Sequence, residues 1–257
     1  DMPLPGGPRP ARLWSNAPGP GQPVWLYLHG GGFVVGGLAT CDALCREVAH
    51  LSGAAVVAVD YRKCPEHPLS AALDDAWDAL HWLATHGHTL GLDGARIAIG
   101  GDSAGGLLAA TTALRARDAG LPLALQALFY PMVQNRQLTD SFQAFGDNTL
   151  LNRRLMAWFE RHCGTPQLQA AWHREPLFAP RHEGVAPAWI GLAECDILTS
   201  EGQAYAHKLQ GAGVDVTLQI WPGMIHDFVN MGRFLPDAAQ AHQAVAQALG
   251  KALGTRA

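Results

Sequence analysis

The sequence predicts an α/β fold, a mostly parallel central sheet with helices on both faces, in one domain spanning residues 1–257. Three observations carry this expectation. Short β-prone apolar runs alternate with segments of helical spacing. The runs are apolar almost without a break, as strands covered on both faces are. Such alternation implies right-handed βαβ crossovers, and so parallel pairing.

Taken in order, residues Asp1 to Pro23 are rich in Pro and Gly and read as an irregular or edge segment. Val24 to Leu28 (VWLYL) is the first buried strand and runs into a Gly-rich loop. From Leu38 to Leu51 the apolar residues Leu44, Val48 and Leu51 recur at helical spacing. Ala54 to Val59 is the next strand, closed by Asp60. Leu69 to Leu83 is helical, with Leu73, Trp77, Leu80 and Leu83 on one stripe. A strand at Ala95 to Ile99, a helix at Ala104 to Arg117 and a strand at Leu123 to Tyr130 continue the rhythm. It then breaks: residues 134–183 hold no clear strand, only a helix at Asn152 to His162, and are expected to form a cap or lid inserted between two strands. The alternation returns with strand Ala188 to Ala193, helix Ser200 to Gln210, strand Val214 to Trp221 and helix Pro236 to Leu253.

Composition narrows the function. With 257 residues, 48% of them hydrophobic, the chain can fill one large core. A net charge of -4 and scattered Lys and Arg argue against a nucleic-acid surface. No apolar stretch reaches the roughly 18 residues of a membrane span, and no apolar core of a signal peptide is visible. The five cysteines form no disulfide pattern, so a reducing, cytoplasmic setting is expected. Cys41 and Cys45 lie four apart but no second pair follows, so they read as buried thiols and not as metal ligands. His86 and His88 lack a third ligand and read as a solvated helix end. No metal and no cofactor is called for.

The chemistry begins at Gly101-Asp102-Ser103-Ala104-Gly105, a G-x-S-x-G between a predicted strand and a predicted helix. That context makes Ser103 a nucleophile at a tight, strained turn, where the flanking glycines avoid collision. The plainer alternative is a Gly-rich turn carrying an ordinary Ser. Gly106 is expected to let the helix approach the sheet. His29-Gly30-Gly31-Gly32-Phe33 follows the first strand, and its glycines free backbone N–H groups to face a cavity. Gly31 and Gly32 are the candidate oxyanion donors, with Ala104 as the third. A phosphate loop would need Lys-Ser or Lys-Thr after the last Gly, and Phe33-Val34 stands there instead. His29 reads as a group bracing the loop. The chain order that goes with such a turn is Ser, acid, His. Asp196, just past the strand ending at Ala193, is the candidate acid, with Glu194 and Asp227 as alternatives. His226, just past the strand ending at Trp221, is the candidate base, against a background of twelve His. Phe33, Phe142, Phe145, Trp158 and Phe159 are candidates to line the acyl pocket, with about half of them expected to fill core instead.

These segments together resemble the hormone-sensitive-lipase-like family of bacterial esterases, within the α/β hydrolases. The resemblance runs from about Val24 through nearly the whole chain. It rests on HGGGF at 29–33, VDYRKCPEHP at 59–68, GDSAGG at 101–106, AECDIL at 193–198 and YAHKLQGAGV…WPGMIHDF at 205–228. It implies the α/β-hydrolase fold, Ser103, Asp196 and His226 as a triad, Gly31, Gly32 and Ala104 as oxyanion donors, and dimers through the sheet edge. Glu66 and His67 would then be structural, a charged pair holding the turn before the helix at 69. Lys63-Cys64 and Thr199-Ser200 depart from the family pattern. The family's N-terminal cap segment is short or missing in this sequence, so the cap is expected to rest on 134–183 and the site to be more open. The implied reaction is hydrolysis of short- to medium-chain carboxylic esters through an acyl-enzyme. Amide or lactone cleavage by the same residues is one rival. A non-catalytic binder is another, which the presence of His226 weighs against. An interfacial lipase would need an apolar lid, and Arg153, Arg154, Glu160 and Arg161 make this one polar.

Overall fold

The computed structural model describes residues 1–16, 19–135, 139–164 and 168–255. A two-stranded ribbon of β1 (Met2–Leu4) and β2 (Gly7–Arg9) precedes the main sheet. That sheet has seven strands: β3 (Ala11–Trp14), β4 (Gln22–Leu28), β5 (Ala55–Val59), β6 (Leu92–Asp102), β7 (Leu125–Phe129), β8 (Ala188–Cys195) and β9 (Val216–Ile225). Their order across the sheet is β3-β5-β4-β6-β7-β8-β9. All neighbours are parallel except β3, which runs antiparallel to β5 at the edge. The Pro/Gly-rich opening therefore holds a hairpin and an edge strand.

The central strands are buried because nothing in them needs water. β5 and β7 are buried at every position, and β4 from Pro23 onward. β9 alternates between half-buried and exposed residues over its first half, as an edge strand does. Helices α1 (Asp42–Ser52) and α7 (Pro236–Leu253) pack together, as do α2 (Leu69–His86) and α3 (Ala104–Asp118), giving a helical layer on each face. α6 (Thr199–Gly211) packs on β8 and β9. α1 starts at Asp42 and not at Leu38, because Thr40 N bonds back to Gly37 O and Gly37 N to Thr40 Oγ1, folding those residues into a turn.

Between β7 and β8 lie α4 (Asp140–Phe145) and α5 (Arg153–Cys163). The α5 helix matches the helix expected at 152–162. The sequence reading missed α4, since six residues are too few for a helical period to show. It is fixed locally instead, by Thr139 Oγ1 accepting from Phe142 N at 3.2 Å. Among the described residues no helix is long and apolar enough to cross a membrane. The carboxyl ends of β4, β6, β8 and β9 all open on one rim, where such sheets place their functional loops.

Candidate active site

Ser103 sits between β6 and α3 with φ 55 and ψ -119, a conformation that an L residue holds only under strain. Surrounding bonds enforce it: Ser103 N donates to Phe129 O at 3.0 Å, and Ser103 O accepts from Met132 N at 3.1 Å. The flanking glycines are required by space. A Cβ at Gly105 would lie 1.9 Å from Leu28 O, and one at Gly101 would lie 2.2 Å from the same atom. Gly106 abuts Pro131, so its smallness admits the loop after β7 and not the sheet itself.

The structure brings Ser103, His226 and Asp196 together from three loops. His226 Nε2 lies 2.9 Å from Ser103 Oγ, and His226 Nδ1 lies 2.6 Å from Asp196 Oδ2. A carboxylate only accepts, so Nδ1 carries the proton and Nε2 is left to accept from the serine hydroxyl. Asp196 is fully buried, and its other oxygen accepts from Leu198 N at 3.1 Å. Burial disfavours the His226 imidazolium, but the charge and hydrogen bond of Asp196 outweigh it and hold the ring above its usual range. The rival acids face elsewhere. Glu194 accepts from Gly223 N at 2.7 Å, and Asp227, at φ 70, accepts from Asn230 Nδ2 at 2.5 Å.

Gly31 and Gly32 have φ of 116 and 59. Gly31 O accepts from Val34 N and Val35 N, while the N–H groups of Gly31, Gly32 and Ala104 meet no acceptor among the described residues. A Cβ at Gly31 would fall 2.1 Å from Val35 O. His29 braces this loop as expected: Nδ1 donates to Gly30 O at 2.7 Å and the ring stacks on Tyr61 at 4.4 Å. The sequence reading missed Asp102, which does more. Buried behind Ser103, it accepts from Tyr27 Oη at 2.6 Å and from Gly30 N at 2.8 Å, tying the glycine loop to the serine turn. The available signal was an acidic residue at the end of an otherwise apolar strand.

Two cavities meet at Ser103. The larger, of about 320 Å³, borders His226, Asp227, Asn230, Thr40 and Leu155. The smaller, of about 30 Å³, borders Phe33, Ala104, Met132, Met156 and Leu198. Gly32, Leu151 and Phe159 line both. Of the five aromatic candidates, only Phe33 and Phe159 line a cavity. Phe142 is buried under the Arg153 guanidinium, 5.1 Å away, and Phe145 packs against the core. Trp158 points off the inner face of α5 and packs on His162 at 4.1 Å. The other large apolar side chains in the lining are aliphatic, such as Leu151, Leu155 and Met156, and a Leu or Met in a sequence carries no mark that separates pocket from core. Glu66 and His67 are exposed and form no side-chain pair among the described residues. Their segment is held instead by Arg62, whose guanidinium meets Asp75 Oδ1 at 2.7 Å.

Glu201 was not foreseen either. Its buried carboxylate accepts from Val133 N at 2.8 Å, fixing the loop after β7 beside Ser103. Burial pushes its carboxyl up to about 8, although the Val133 and Gln134 N–H groups pull the other way. An ordinary glutamate ionises near 4.3, so between about 4.3 and 8 the folded chain binds more protons than the unfolded one. Stability from this group therefore falls as pH rises through that window. Glu201→Gln lacks the proton and should gain on the parent between about pH 5 and pH 9. Thermal midpoints of both proteins at the two pH values test this, and a constant difference would refute it.

Comparisons with known proteins give the chain its family and relatives. The profile of a family described as alpha/beta hydrolase fold matches residues 25–230. Esterase LipI of Mycobacterium tuberculosis is 41% identical over 247 residues, covering 92% of this chain and 76% of that one. Ethyl acetate hydrolase of Pseudomonas putida is 39% identical over 228 residues, covering 87% and 71%. The structure of a hyperthermophilic esterase from the archaeon Pyrobaculum calidifontis superposes with a TM-score of 0.93 at 41% identity, covering 97% and 83%.

Proposed function

We propose, from the premise that this chain belongs to the alpha/beta hydrolase family matched over residues 25–230, that it cleaves esters through Ser103, His226 and Asp196. The protein is a carboxylic ester hydrolase. In the proposed mechanism His226 Nε2 takes the Ser103 proton as Oγ attacks the ester carbonyl. The resulting oxyanion is received by the N–H groups of Gly31, Gly32 and Ala104. His226 then protonates the leaving alcohol, and water, activated by the same ring, releases the acid. The observation that carries this reading is the unbroken chain from Ser103 Oγ through the His226 ring to Asp196, at 2.9 and 2.6 Å. A fluorophosphonate tests it: the adduct should appear on the peptide that contains Ser103, and modification of another residue with activity intact would sink it.

The two cavities take different halves of the substrate. His226 must reach the leaving oxygen, so the alcohol belongs in the larger cavity, which His226 borders. The acyl group then enters the smaller one. Its small volume favours short acyl chains over longer ones, and the described residues of 134–183 act as the cap over the two cavities, through Leu151, Leu155 and Phe159. The Phe159 ring lies against Gly32, where a Cβ would approach it to 2.4 Å. Phe159→Ala is expected to open the acyl side. The kcat/KM ratio of p-nitrophenyl octanoate to butyrate should rise about tenfold, the scale of a methylene-sized change in an apolar pocket. An unmoved ratio would contradict this division. A cytoplasmic setting and a homodimer through the β9 edge complete the proposal. The first is supported by five free thiols, the second by the strand's open side.

A further inference from the structure

The small cavity ends in groups that the reaction above leaves idle. Arg174, Asn135, Glu160 and Cys163 line it together with Ser103. Arg174 closes a short 3-10 turn, Ala171–His173, on the chain leading to β8. Its Nε is buried and has no hydrogen-bond partner. No ion pair or side-chain hydrogen bond holds its guanidinium among the described residues. The other half-buried arginines behave differently. Arg9 and Arg62 share Asp75, Arg115 donates to Leu73 O under the Trp77 ring, and Arg117 meets Asp118. A half-buried guanidinium without an acceptor is costly, and a native chain that keeps one beside a cavity leaves room for an outside acceptor.

We infer that Arg174 is a specificity-determining residue that receives an anion on the acyl part of the substrate. The class it fits is the monoester of a short dicarboxylic acid, whose free carboxylate matches the planar fork of two N–H donors. Asn135, which also lines the cavity, carries a neutral amide donor. Glu160 disfavours an anion held near itself, so the gain should depend on chain length and appear where the carboxylate reaches the guanidinium. This inference rests on the assignment of the small cavity to the acyl group.

The test compares substrates of equal shape and different charge, with proton release followed at constant pH. Monoethyl succinate is paired with ethyl 4-methylpentanoate, and monoethyl glutarate with ethyl 5-methylhexanoate. The parent protein should favour the anionic member of at least one pair. Arg174→Met should lower that anionic-to-neutral ratio of kcat/KM by about tenfold to a hundredfold, the range of a charge-assisted hydrogen bond. Arg174→Lys should recover part of it. Equal losses on both members would reduce Arg174 to a structural role and overturn the inference. So would a Met-sensitive preference seen only when the carboxylate is carried by the alcohol, as in carboxymethyl butyrate. A parent that turns over the neutral esters with an unmoved ratio overturns this inference alone. A parent that turns over neither overturns the catalytic reading as well.

Discussion

Ser103→Ala is expected to lower kcat on a short-chain ester by about 10⁴- to 10⁶-fold while leaving the fold intact. The size of the loss follows from the role proposed for the hydroxyl. Without Oγ there is no acyl-enzyme, and the remaining groups only bind the ester and polarise its carbonyl, which leaves a small residual rate over water. The fold should survive because alanine keeps the Cβ that already tolerates φ 55, and the bonds that hold the turn are backbone ones, from Ser103 N to Phe129 O and from Met132 N to Ser103 O. Circular dichroism and the thermal midpoint of the variant should therefore match the parent. Steady-state rates on p-nitrophenyl butyrate provide the measurement. A loss of less than about a hundredfold, in a protein free of parent contamination, would remove Ser103 as the nucleophile.

Some parts of the molecule were legible in the sequence and others were not. The strands could be read because β4, β5 and β7 are buried on both faces and so carry little but apolar residues. Ser103, Asp196 and His226 could be read because each stands just past a strand, where a polar residue interrupts an apolar run and the parallel topology directs it to one rim. Groups that act by burial were harder. Asp102 stands one residue before Ser103, yet nothing in the string Gly-Asp-Ser tells that its carboxylate turns inward to Tyr27 and Gly30 N. Glu201 reads as an ordinary helix glutamate until the loop carrying Val133 is folded over it. The pocket was misjudged for a related reason. Large aromatics attract notice, but Phe142 and Phe145 fill space under α5, while Leu151, Leu155 and Met156 line the cavities. Which face of a short helix turns inward is decided by the partner it packs on, and a single amphipathic turn leaves several choices open.

Asp196→Asn should cost about 10⁴-fold in kcat at neutral pH, and the surroundings of this carboxylate say why. Asp196 uses one oxygen for His226 Nδ1 and the other for Leu198 N, both donors. An asparagine has only one oxygen to give. If the oxygen serves Leu198 N, the amide NH₂ faces Nδ1 and forces the ring into the tautomer with its proton on Nε2, which then cannot accept from Ser103. If it serves Nδ1, a buried N–H at Leu198 is left facing an NH₂ group. The pH profile separates this account from simple distortion. In the parent, Asp196 holds the His226 pKa above its usual range against the effect of burial, and the proposed mechanism needs the neutral ring. The acid limb of kcat/KM should therefore lie above about pH 6.5, with activity lost as pH falls through it. In the variant the main opposition to burial is gone and only the weaker pull of Asp227 and Asp102 remains, so the limb should move to lower pH and the small remaining activity should be flat from about pH 6 to 8. Glu194→Gln, remote from the ring, should leave both the rate and the limb near the parent's. A variant at 196 that keeps most of its activity with an unmoved acid limb would take the orienting role away from Asp196.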